Sequence, residues 1–189
     1  MTPFEYITVL ISIILGLGIT QIMTGVADLV HQWDKVKLYW PHTLWVALVF
    51  IMHVQEWWVT YDLKQAFDTW RLPTFLFFTL YPVNLFILAR ILFPSVPAEG
   101  SIDLKIFYFA NFRKFLLMFM ILIVLSVISN VIVNGFTSDQ LLLAALFVIT
   151  GWIAIRNLRH ERLHKILVVG LLLVLIVSIV INWDTWLIG

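Results

Sequence analysis

Cysteine is absent from the 189 residues, which excludes disulfides, thiol nucleophiles and cysteine-ligated clusters. Charge is scarce as well: Asp, Glu, Lys and Arg make up 12% of the chain, about half of what a soluble domain carries. The net charge is +1, so no basic surface of the kind that binds nucleic acid is expected. No Walker loop, glycine-rich dinucleotide turn or hydrolase elbow occurs, and the common nucleotide and acyl-transfer chemistries lose their motifs. The start, MTPFEY, has no basic segment and no small-residue cleavage site follows. The first apolar run is therefore expected to be a retained helix, not a signal peptide.

What the chain does have is hydrocarbon. Hydrophobic residues are 62% of it, mean hydropathy is +1.00, and apolar runs of about 20 residues, enough to cross a bilayer, recur throughout. The pattern predicts an all-α membrane protein. It would be a single-domain bundle of six transmembrane helices at about 4–30, 41–61, 74–93, 115–133, 140–155 and 166–181. A short amphipathic helix in the sequence IDLKIFYFANFRK, from Ile102, would lie at the interface before the fourth span. The sixth span, almost purely aliphatic, would face lipid with Trp183 and Trp186 as anchors.

The first span is the most polar. Thr8, Ser12, Gly16, Thr20, Thr24 and Asp28 recur every fourth residue, but each such step drifts about 40° around a helix, so five steps wrap more than halfway. Gly18, Gln21, Gly25 and Asp28 form a tighter face. Small residues let backbones approach closely, and this helix is expected inside the bundle. In the third span, Pro82 displaces the carbonyl of Phe78, and Asn84 stands within a turn of it. Counting along both spans places Gly16 and Gly18 level with Pro82 and Asn84, with Gln21 about 5 Å deeper. The first and third spans are expected to touch there. Gly16, Gly18, Gln21, Pro82 and Asn84 are the candidate solute or gating contacts.

In the second span Tyr39 and Trp40 mark one interface, Trp57 and Trp58 the other; about 17 residues, or roughly 26 Å, separate them. His53 and Glu56 share a face at i, i+3 and form a candidate pair near the outer interface, where solvation favours a structural role. His42 and His53 lie on the same helix near opposite faces of the bilayer, which argues against a haem held between spans. No cofactor is expected.

Between the last two spans, His160-Glu161-Arg162-Leu163-His164 resembles the H-E-x-x-H of zinc metallopeptidases. The resemblance covers five residues; it implies His160 and His164 as metal ligands and Glu161 as general base. Arg162 and Lys165 stand among them, where cations oppose a divalent metal, and no third ligand follows nearby. A basic loop that holds topology is the plainer reading.

Lysine and arginine orient the chain. Of 12 such residues, only Lys64 and Arg71 fall on one side of a six-span arrangement and the other ten on the opposite side. The positive-inside rule then puts both termini outside the cytoplasm of a bacterial inner membrane. No internal repeat stands out. Two function classes follow: a small channel or transporter-like protein for a neutral or weakly polar solute, working as a homo-oligomer, or a non-catalytic membrane subunit that assembles with or regulates a partner membrane protein. A membrane zinc metallopeptidase is third. The bilayer itself is a partner in all three; nucleic acid is a partner in none.

Overall fold

A computed structural model describes residues 3–67, 69–94 and 101–181. Within them the chain is all-α. Six helices of 17 residues or more carry the fold: α1 (Pro3–His31), α2 (Trp40–Val59), α4 (Leu72–Ile91), α5 (Leu104–Asn134), α6 (Asp139–Ile155) and α7 (Glu161–Ile181), with a single-turn α3 (Leu63–Ala66) between α2 and α4. Four of the six, α1, α4, α5 and α7, are long and apolar enough to cross a membrane. The other two differ: α2 carries His42, His53, Gln55 and Glu56 in its 20 residues, and α6 is apolar but has only 17. A membrane-embedded helical protein fits these four helices. The expected anchors Trp183 and Trp186 lie outside the described residues.

The ends of the helices follow from local chemistry. Pro41 and Pro73 sit in the first turns of α2 and α4, where a missing N–H costs nothing. Asp103 caps α5: its carboxylate accepts from the backbone N–H groups of Lys105 and Ile106, both at 3.0 Å, which meets two of the orphan donors of a helix start. Gly135 ends α5 at φ 75°, a left-handed conformation that suits glycine. Its carbonyl accepts from Gln140 Nε2 at 3.0 Å, closing the tight turn into α6.

One element departs from the sequence reading. The amphipathic segment expected to lie at the interface is instead the first three turns of α5, which runs unbroken over 31 residues. Nothing between Asp103 and Phe115 breaks a helix, and Leu104, Tyr108, Phe112 and Phe115 recur on one face. That face is fully buried, so bundle packing takes the place of a lipid surface.

Helix α2 is central: it touches α1, α4, α5 and α7. Helix α1 packs most extensively on α4, as expected of the first and third spans, and the other side of α4 packs on α5. Trp45 and Leu48 from α2, Leu85 and Leu88 from α4, Phe115 and Phe119 from α5, and Leu15 from α1 fill the centre. Trp45 is fully buried and meets Phe119 edge-on, with centroids 5.7 Å apart. Helix α6 has α5 as its one extensive neighbour. Leu173, Ile176, Val177, Val180 and Ile181 of α7 are exposed, as a lipid-facing last span requires. At the basic end, Val36–Lys37 (β1) and Ile102–Asp103 (β2) pair as a parallel two-residue bridge, tying the α1–α2 loop to the start of α5.

Candidate functional site

The polar residues of α1 separate into two faces. Gly18 and Gly25 point into the bundle, and a methyl at either would overlap a ring: the imidazole of His53 at Gly18, the phenyl of Phe93 at Gly25. Gly16 faces out, with nothing within 4 Å of where a methyl would stand, and Thr20 and Thr24 are exposed beside it. Thr20 turns its hydroxyl back onto the Gly16 carbonyl at 2.8 Å, so it needs no outside partner.

His53 is fully buried on α2. Its Nδ1–H donates to the Val49 carbonyl at 2.7 Å; since a carbonyl can only accept, this assigns the tautomer and leaves Nε2 as a bare lone pair. That nitrogen has no hydrogen-bond partner among the described residues and lies against Gly18. A Cα–H of glycine is the donor available there, a weak one. His53 therefore does not use Glu56, its expected companion; its contacts are the helix behind it and the glycine in front.

Asn84 is 6% exposed and reaches across to α5, where its Nδ2 donates to the Met118 carbonyl at 2.8 Å. Gln21 is elsewhere: with Thr24, Gly25 and Asp28 of α1 and Arg90 and Phe93 at the end of α4, it lines a recess of about 40 Å³. The two amides, candidate contacts of one site, thus serve different neighbours. A depth match placed the helices side by side but could not give the rotation of each about its axis. Pro82 is buried within an α4 that stays continuous around it.

The most developed polar cluster joins α2, α5 and α7 at the basic end. Trp45 Nε1–H donates to the Tyr108 hydroxyl at 3.3 Å, and that hydroxyl donates to His164 Nδ1 at 3.0 Å. His164 Nε2–H then donates to the Leu158 carbonyl at 2.7 Å. Each group has one role and each role is filled, so the tautomer follows from the chain of bonds. Three rings surround the imidazole, with Phe112 closest at 4.7 Å between centroids. Nearby, His42 Nε2–H caps the Leu92 carbonyl at the end of α4 at 2.7 Å, one of the orphan acceptors of a helix C-terminus. The Tyr39 hydroxyl, buried in the same region without a partner, is pushed up to about 12, first by burial and then by the charge of Glu161.

No protein-family model matches the chain, and no curated protein or solved structure shows significant similarity to it. Geometry alone speaks for the site. In the His160–His164 stretch, His160 is exposed ahead of the helix while His164 is wholly buried with both ring nitrogens engaged. Glu161 turns the other way, to Lys105 Nζ at 2.6 Å and Lys165 Nζ at 2.7 Å. A metal bound between the histidines would have to displace Tyr108 or Leu158, and among the described residues no group of three potential ligands comes together. The Trp45–Tyr108–His164 chain was missed from the sequence. The available signal was Tyr108 on the stripe Leu104, Tyr108, Phe112, Phe115: a hydroxyl on a buried face requires a partner.

Proposed function

We propose that this chain is a non-catalytic membrane subunit that self-assembles through the outward face of α1. The observation that supports this reading is the Gly16–Thr20 pair. It carries small side chains at four-residue spacing, faces away from the chain's own bundle, and follows the small-xxx-small pattern by which membrane helices approach closely. Large side chains fill the bundle centre around Trp45 and Phe119, which weighs against a solute path within one chain. The chain has no cysteine, so single cysteines report cleanly. Oxidation in native membranes should give disulfide dimers of Gly16→Cys and Thr20→Cys but not of Leu173→Cys. Monomers throughout would refute the assembly.

A channel or transporter-like role has one observation in its favour, the polar recess between Gln21, Asp28 and Arg90. Flux of small neutral solutes into liposomes containing the pure protein is its test.

The proposed setting is a bacterial inner membrane crossed six times, with the ten basic residues facing the cytoplasm. In intact cells, a membrane-impermeant maleimide should then label Ser138→Cys and spare Ser101→Cys. Labelling of Ser101→Cys alone would invert the topology.

A further inference from the structure

Where α7 enters its apolar stretch, its outer surface is grooved. Trp40, from the first turn of α2, stands beside it, and a slot of about 410 Å³ runs along Lys165, Ile166, Val169, Gly170 and Leu173. Gly170 opens the floor, with nothing within 4 Å of the place a methyl would occupy. From Lys165 to Leu173 is about 12 Å of helix at 1.5 Å per residue. The slot is shallow, open along its outer side and walled by apolar side chains, so its occupant is one that shares the hydrocarbon of a bilayer.

The walls are apolar and the mouth is cationic. Lys165 Nζ stands 5.9 Å from the centre of the Trp40 ring and 2.7 Å from Glu161. Glu161 is shared with Lys105, and the Asp103 carboxylate caps the helix start that carries Lys105, so these two lysines are balanced and the excess charge comes from the neighbouring arginines. Arg159 and Arg162 are exposed in the adjoining segment. An open apolar slot with excess positive charge at one end matches a lipid whose phosphate carries net negative charge. We infer that the groove between Trp40 and α7 is a binding site for an anionic phospholipid, one acyl chain lying over Gly170 and the phosphate held at Lys165. The site uses α2 and α7 and no residue of α1, so its test is separate from that of self-assembly.

The experiment is native mass spectrometry of the detergent-purified protein titrated with dioleoylphosphatidylglycerol or dioleoylphosphatidylcholine. The wild type should retain one phosphatidylglycerol per chain in preference to phosphatidylcholine. Lys165→Gln should reduce that preference roughly fivefold, the contribution of one basic residue near an anionic surface. Gly170→Leu, whose side chain has room to enter the slot, should lose the bound lipid while keeping the wild-type melting temperature; Gly170→Ala should lose it partly. Equal retention of both headgroups by the wild type would overturn the proposal. So would undiminished phosphatidylglycerol binding by Gly170→Leu.

Discussion

Gly18→Ala should unfold the protein far more readily than Gly16→Ala, although the two glycines are one residue apart. At Gly18 the new methyl would overlap the imidazole of His53; at Gly16 it would meet nothing. His53 cannot easily retreat, because it is fully buried and its Nδ1–H is tied to Val49. Overpacking of this kind costs about 1–3 kcal/mol, and Gly18→Leu should cost more, well beyond Leu173→Ala on the exposed side of α7. A melting curve in detergent measures the difference. Truncating the ring provides the internal check: Gly18→Ala combined with His53→Ala should recover part of what Gly18→Ala loses. Equal stability of the Gly16 and Gly18 variants would show that α1 is rotated away from the position described.

His164→Ala should be the second severe change, with His160→Ala as its quiet counterpart. Removing the imidazole leaves the buried Tyr108 O–H without its acceptor, at about 1–3 kcal/mol, and takes the donor from the part-buried Leu158 carbonyl. It also leaves a cavity among Phe109, Phe112 and Tyr108, whose cost is about 2 kcal/mol or more. A total of about 3 kcal/mol or more follows. His160 is exposed, and its replacement should stay within about 0.5 kcal/mol. Zinc content separates this structural role from the metallopeptidase resemblance: one zinc per chain, lost when both histidines are replaced, would restore the metal reading.

Helix positions were legible in the sequence because the solvent is hydrocarbon and the signal is long. The ends of α1, α2, α4 and α6 fall within about two residues of the expected spans. The starts of α5 and α7 were not, falling at Leu104 and Glu161 ahead of the expected spans, since charges such as Lys105, Arg113, Lys114, Glu161 and Lys165 look the same in a loop or interfacial segment and in a helix projecting beyond the membrane. The neighbourhood of α1 and α4 could be read from small residues and depth. The rotation of α1 could not: glycine at 16 and glycine at 18 are equivalent in composition, and only tertiary packing decides which one faces His53. The same limit applies to His164. Its spacing from His160 suits a metal, but the partner that claims it, Tyr108, lies 56 residues away.

The length of α5 divides the protein into two kinds of dry interior. Thirty-one residues make about 46 Å of helix, against a hydrocarbon layer of about 30 Å. In a bilayer whose opposite surface meets the far end of α5, roughly 16 Å of α5 would stand among headgroups and water, and Tyr108 and its partner His164 would lie in that part. Water is excluded there by protein, through Tyr39, Phe109, Phe112 and the clasp of β1 on β2. The exposed apolar faces of α6 and α7 have no such protein cover and would need lipid in its place. Exchanging bilayer for detergent therefore replaces the solvent of one region and leaves that of the other unchanged.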